Sequence, residues 1–126
     1  MTGGIFKHGF VLDFGESKLY SGWEMRAAQE VIFATFERWA GCSMLRLAFT
    51  DDRTCIDDVA YLNELREEGA PEFDQAIVFT SDFHSPSEKE AEGAAWEPDA
   101  VYEGWTWHLG RTDSDGAWQL MTWGYA

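Results

Sequence analysis

Three kinds of apolar pattern divide the chain into seven elements. Apolar and polar residues alternate, as in β-strands with one buried face, over residues 5–14, 44–50, 101–109 and 118–125. An uninterrupted apolar run opens segment 75–83 and indicates a central strand that is buried on both faces. Residues 25–39 and 56–65 place apolar side chains three or four positions apart, which predicts amphipathic helices. Strands and helices therefore alternate along the chain before a closing pair of strands.

Both predicted helices carry start signals. Ser21 is followed three residues later by Glu24, which is a capping box in which each side chain bonds to the other residue's backbone amide. Thr54 together with Asp57 predicts the start of the second helix in the same way.

The C-terminal stretch 101–125 predicts an aromatic β-hairpin that holds four of the seven tryptophans. Asp115-Gly116 marks its turn. Alternation predicts two rows in the first strand: Trp105, Trp107 and Leu109 on one face, and Tyr102, Thr106 and His108 on the other. It predicts two rows in the second strand: Trp118 and Leu120, and opposite them Met121, Trp123 and Tyr125. An aromatic side chain buries roughly 150–250 Å², so the hairpin is expected to supply much of the core.

This order of elements predicts one α+β domain over residues 1–126. We expect a curled mixed or antiparallel sheet of about five strands with two helices packed on one face, in the order β-α-β-α-β-β-β. Residues 84–100 are polar and acidic and predict a mobile loop between two antiparallel strands. Cys42 and Cys55 have the wrong number and spacing for a zinc site or a disulfide framework. A single bridge between them is the alternative to the reduced thiols that we expect in the cytoplasm.

The charge balance restricts the partners that the protein can bind. The chain has 23 Asp and Glu against 9 Lys and Arg, a net charge of −14. Such a field repels nucleic acid and anionic membranes and attracts basic proteins. Since the first residues lack the pattern of a cleaved signal, we predict a cytoplasmic protein that binds neither nucleic acid nor a membrane and is a monomer or weak homodimer. The alternative is an acidic surface that serves solubility alone.

Few residues fall into a pattern that indicates catalysis. Phosphate-binding loops, dinucleotide motifs and nucleophile elbows are absent from the sequence, which favours a non-enzymatic role without a cofactor. His108 could act as a general acid or base if its face lines a cavity, or could be an ordinary surface residue. Asp82 and His84 lie two positions apart on a predicted strand, so they could bind a metal ion together or be a solvated strand end.

Two hypotheses from different functional classes follow. The first is an acidic binding protein, such as an immunity protein or inhibitor, that docks on a basic protein surface. Its contact residues would be the acids of the second helix and the loop: Asp57, Asp58, Glu64, Glu67, Glu68, Glu88, Glu90 and Glu92. The second is a small-molecule-binding or weakly catalytic pocket, with a wall formed by Trp105, Trp107, His108 and Trp123. These tryptophans could equally form a solid core.

Several motifs resemble those of a type of small bacterial α+β protein. The helix opens with S-x-x-E and ends in F-x-x-W-x-G-C at residues 36–42, and D-x-A-I-V-F-x-S-D-F follows at residues 74–83. The hairpin reads Y-E-x-W-x-W-x-L-x-R and W-x-L-x-x-W-G-Y. This resemblance implies a fold but no activity and no catalytic residue. The closing hairpin is also similar, more weakly, to that of NTF2-like folds, which implies a conical pocket.

Overall fold

Five strands form one sheet in the order of the chain in this computed structural model, which describes residues 5–86 and 97–125, and of residues 5–11 the backbone alone. The strands are β1 (Ile5–Asp13), β2 (Ser43–Phe49), β3 (Gln75–His84), β4 (Val101–Arg111) and β5 (Gln119–Gly124). β1 is parallel to β2, and the other pairs are antiparallel. Helix α1 (Gly22–Phe36) precedes β2, and α2 (Asp52–Leu65) precedes β3. The predicted α+β class, mixed sheet and element order are confirmed.

The two helices lie on opposite faces of the sheet, whereas the sequence predicts both on one face. Neighbouring residues of β4 show this, because their side chains point to opposite faces. Arg111 forms an ion pair with Glu24 of α1, while a Cβ on Gly110 would lie 3.0 Å from Leu62 of α2. The apolar run of β3 explains the difference: residues 76–79 are all buried, and a single helical layer covers only one face.

The face under α1 holds the main hydrophobic core. Trp107 is fully buried and stacks on Trp39, with ring centroids 5.1 Å apart. Its indole N–H donates to the Ser81 hydroxyl at 2.8 Å. The Trp123 ring lies 6.1 Å from that of Trp107. Aromatic side chains therefore fill the space between the sheet and the end of α1.

A bulge at Met121 changes the faces that strict alternation predicts for the second hairpin strand. Leu109 pairs with Leu120, but the next pair along the strands skips Met121. Trp123 therefore shares a face with Leu120, although alternation places the two on opposite faces.

A similar irregularity near Gly104 relocates Tyr102. The register of β3 and β4 shifts there, and Gly104 has a φ of +72°, which glycine adopts without strain. The Tyr102 ring stacks on Phe83, with centroids 5.1 Å apart, and also contacts Trp105. Tyr102 thus belongs to the tryptophan face and not, as alternation predicts, to the face of His108.

The caps decide where each helix begins. The predicted capping box of α1 is confirmed, because Ser21 Oγ accepts from the Glu24 amide at 3.2 Å and Glu24 Oε1 accepts from the Ser21 amide at 2.9 Å. Helix α2 begins earlier than predicted. Asp51, not Thr54, is its N-cap, and Asp51 Oδ1 accepts from the Thr54 amide at 2.7 Å. Asp accepts such bonds at least as well as Thr, so the earlier residue takes the cap.

Candidate functional site

A chain of hydrogen bonds connects α2 with the sheet face beneath it. Asp58 Oδ2 lies 2.9 Å from His108 Nδ1, and His108 Nε2 lies 3.1 Å from Thr106 Oγ1. The Thr106 hydroxyl is also 2.8 Å from the Gly124 carbonyl oxygen. The Tyr61 ring stands edge-on to the imidazole, with centroids 5.9 Å apart. Both hydrogen-bond partners of His108 lie on the same face of the sheet as its side chain, since Thr106 is two residues away on the strand and Asp58 approaches from α2.

The partners of His108 restrict where its protons lie. A carboxylate only accepts hydrogen bonds, so Nδ1 carries a proton and donates it to Asp58. Thr106 has one hydroxyl proton, which can point to Nε2 or to the Gly124 carbonyl. In the first case the imidazole is neutral, and in the second Nε2 carries a proton and donates to Thr106. Either orientation of the Thr106 hydroxyl therefore keeps the hydrogen bond between Thr106 and His108 Nε2.

A cavity of about 360 Å³ opens beside this hydrogen-bonded chain, between α2 and the end of β5. It is lined by Tyr61, Thr106, His108, Thr122, Trp123 and Tyr125. Its volume lies at the lower end of the range of small-molecule sites, about 300–1,000 Å³. The Trp123 ring packs towards Trp107 on the other face, so the polar character of the cavity comes from its threonines, Tyr61 and His108.

The four residues predicted to form one aromatic wall are divided between the two faces of the sheet. Trp105 and Trp107 pack on the α1 face, where the Trp105 ring stands 5.4 Å from that of Phe83. His108 points to the α2 face, where it meets Asp58. His108 and Trp123 border the cavity, whereas Trp105 and Trp107 are not among its lining residues.

Four further cavity residues are not among the predicted site residues: Tyr61, Thr106, Thr122 and Tyr125. Alternation does place Thr106 beside His108. The three-residue spacing of Asp58 and Tyr61 puts them on one side of a helix. No local pattern in the sequence indicates that this side of α2 packs against this part of β4.

The acids predicted to contact a partner have different positions. Four of them are exposed: Asp57, Glu64, Glu67 and Glu68. The Asp58 side chain is only 10% exposed and faces His108, so it does not belong to the exposed set. The remaining three acids, Glu88, Glu90 and Glu92, lie outside the described residues. Most of the predicted acidic loop also lies outside them.

The predicted metal ligands have other partners nearby. Asp82 Oδ1 accepts from the Gly104 amide at 3.1 Å, and His84 Nε2 lies 3.5 Å from Asp99 Oδ1. Within residues 5–86 and 97–125, no group of three or more His, Cys, Asp or Glu side chains is placed to hold a metal ion. Asp82 and His84 therefore stay a predicted pair with no third ligand among the described residues.

A second hollow, of about 300 Å³, lies on the α1 face beside the buried side chain of Arg111. Arg111 pairs with Glu24, donates from Nε to Gln75 Oε1 at 2.6 Å, and lies 4.3 Å from the centroid of the Trp118 ring. Partial burial raises the pKa of Glu24, but hydrogen bonds from the Ser21 amide and Arg111 outweigh it and hold the pKa below its usual value. These groups form hydrogen bonds and an ion pair with one another, so the cluster stabilises the packing of α1 against β4.

Both cysteines are free thiols in the core, as expected. Burial raises the pKa of Cys42 and of Cys55 to about 11. Cys55 Sγ also accepts a hydrogen bond from the Val78 amide at 3.3 Å. A nucleophilic thiol needs a lowered pKa and access to solvent, so neither cysteine is suited to catalysis.

Comparison with known proteins adds no functional assignment. No protein-family model matches the chain, and no curated protein or solved structure matches it either. The resemblances drawn from its motifs therefore stay predictions. In the part of the chain that the structure describes, neither helix combines the length and the apolar character needed to cross a bilayer.

Proposed function

We propose that this protein is a non-enzymatic acidic binding protein of the cytoplasm that docks on the basic surface of another protein. An immunity protein, or an inhibitor that mimics nucleic acid, acts in this way. The observation that carries the proposal is the outward surface of α2, where exposed apolar side chains stand among exposed acids.

The apolar side chains of this surface are large and accessible. Ile56 is 52%, Tyr61 44% and Leu65 42% exposed. Asp57 and Glu64 belong to the same helix, and two more exposed acids, Glu67 and Glu68, follow its end. Apolar anchors within a polar rim are typical of protein interfaces. The acids of the rim would accelerate association with a basic partner and make it dependent on salt.

The alternative function is small-molecule binding or weak catalysis in the cavity beside His108. It is favoured by the Asp58–His108 pair, because a histidine oriented by a carboxylate is a common general base. A screen of small acids and amides by NMR tests it. Ligands that shift the His108 ring signals, and that lose affinity in His108→Gln, would support this alternative over the docking function.

Two charge-reversal variants test the docking proposal. The first changes the acids at the end of α2, as Glu64→Lys, Glu67→Lys and Glu68→Lys together. The matched control reverses three other exposed acids, Glu16→Lys, Glu30→Lys and Glu37→Lys. Both variants reduce the net negative charge by the same amount, so a difference in partner retention between them depends on the location of the acids. Each immobilised protein is exposed to lysate of the source cells at low salt, and the retained proteins are identified and eluted with a salt gradient.

The proposal predicts that the unmodified protein and the control retain the same basic protein, and that the α2 variant releases it at clearly lower salt. Equal elution from both variants would mean that overall charge, not the α2 surface, explains the retention. Retention of no basic protein at low salt would contradict the docking function itself.

A further inference from the structure

Strand β5 forms one edge of the sheet. It is the last strand in the sheet order, and among the described residues only β4 pairs with it. Natural edge strands are commonly protected by charged side chains or proline. Residues 119–124 read QLMTWG and contain neither, in a chain with 23 acidic residues; of the usual protective features they carry the bulge at Met121.

The cavity beside His108 lies along this edge. Thr122 of β5 pairs with His108 of β4 and shares its face, and both line the cavity together with Tyr61 and Thr106. A strand added along β5 would place every second side chain on this face. A side chain opposite Thr122 would therefore point towards the cavity, where the hydroxyl oxygens of Tyr61, Thr106 and Thr122 can accept hydrogen bonds.

We infer that a basic partner adds an extended segment to β5 and inserts an arginine side chain into the cavity beside His108. This inference rests on the proposed function. Strand addition obtains affinity from backbone hydrogen bonds and specificity from pockets for alternate side chains. Arginine offers five N–H donors in a planar group, and the cavity supplies several acceptors with the buried Asp58 carboxylate behind them.

Charge argues for a basic partner over a second copy of this chain. Two copies joined along β5 would each carry a net charge of −14, and like charges oppose association. The exposed acids of α2 lie on the same side of the sheet as the cavity, since Tyr61 of α2 belongs to both surfaces. A cationic segment along β5 would therefore meet favourable charge beside its backbone contacts.

Short peptides test the mode of binding. The probe alternates threonine and arginine, and its control is the same sequence with N-methyl groups on alternate backbone nitrogens, which removes hydrogen-bond donors and keeps the charge. We expect the methylated peptide to bind the full chain roughly tenfold or more weakly, as the loss of two or three backbone hydrogen bonds implies. The unmethylated peptide should slow hydrogen exchange of the β5 amides.

A pair of protein variants locates the contact. Thr122→Lys puts a positive charge beside the cavity, and Thr112→Lys makes the same change in the turn before β5. The first should bind the alternating peptide several-fold more weakly than the second. Peptide binding that does not depend on N-methylation, no peptide binding at low salt, or dimerisation of the chain through β5 would each overturn strand addition by a basic partner. If Thr122→Lys does not fold, the comparison of the methylated and unmethylated peptides on the unmodified chain still tests strand addition. Partner retention that depends on the α2 acids would leave the docking function standing.

Discussion

Asp58 and His108 are fifty residues apart in the chain, yet their side chains meet at 2.9 Å. The two side chains are 10% and 16% exposed, so both are largely removed from water. A polar group in this position costs free energy unless it has a partner. The pair therefore fixes α2 over β4 at a defined position, next to the apolar contact of Leu62 with Phe73 in the same layer.

Removing the carboxylate should destabilise the fold. Asp58→Ala leaves His108 Nδ1 without its acceptor, and we expect a loss of about 1–3 kcal/mol in the free energy of unfolding. Asp58→Asn keeps an acceptor oxygen and should lose less. The neighbouring Asp57→Ala is the control, because Asp57 is exposed and its ion pair with Arg53 should contribute at most about 1 kcal/mol. Urea unfolding measures all three, and equal losses for Asp57→Ala and Asp58→Ala would contradict the role of the pair.

A glycine is required where α2 crosses β4. A Cβ at Gly110 would lie 2.7 Å from Phe73 Cδ1 and 3.0 Å from Leu62 Cδ1, and both neighbours are buried. Gly110→Ala should therefore destabilise the protein by about 1–3 kcal/mol through overpacking.

Gly22→Ala is the matched control for this substitution. Gly22 begins α1, and a Cβ there would have no atom within 4 Å. Alanine in a helix should stabilise by about 0.4–1 kcal/mol. Thermal unfolding of both variants tests the prediction, and a Gly110→Ala protein as stable as the native chain would show that α2 does not approach β4 this closely.

Local signals in the sequence were sufficient to predict the elements but not their faces. The Ser21–Glu24 capping box and the apolar run of β3 each depend on a few consecutive residues, so both can be predicted from the sequence. The bulge at Met121 depends on pairing with β4, and one extra residue was enough to move Trp123 to the other face. Periodicity carries no sign of such an insertion.

The candidate site shows the same division between local and distant information. Thr106 and His108 share a face by simple alternation, which the sequence displays. Asp58, in contrast, looks like an ordinary acid in the first turns of a helix, next to the similar Asp57. Its role follows from the crossing of α2 over β4, and so from contacts fifty positions away.

The tryptophans should differ widely in their contribution to stability. Trp107 is fully buried, stacks on Trp39 and donates to Ser81, so Trp107→Ala should cost about 3–5 kcal/mol. Trp23 is 80% exposed at the start of α1, and Trp23→Ala should change stability by no more than about 0.5 kcal/mol. Denaturant unfolding provides the comparison. A small loss for Trp107→Ala would mean that the indoles surround open space instead of forming the core.

Stability should fall as the pH rises above 9. Burial raises the pKa of the Cys42 and Cys55 thiols from 9.0 to about 11. Between these values the unfolded chain releases thiol protons that the native protein keeps. The unfolded state then binds fewer protons, so the free energy of unfolding decreases with increasing pH. Burial also raises the pKa of the Tyr20 hydroxyl, which donates to the Ala76 carbonyl, and this acts in the same direction at higher pH.

Substitutions separate the contributions of the thiols and of Tyr20 to this pH dependence. We expect urea unfolding between pH 8 and about 11 to show a decline that becomes shallower in the Cys42→Ala, Cys55→Ala double variant. Tyr20→Phe should keep the thiol-dependent decline just above pH 9 and reduce only the later part. The slope is the readout, because either change can also shift stability at neutral pH by altering the packing. A double variant whose stability falls as steeply as that of the native chain would show that the thiols keep their ordinary pKa in the fold, and hence that they are accessible to water.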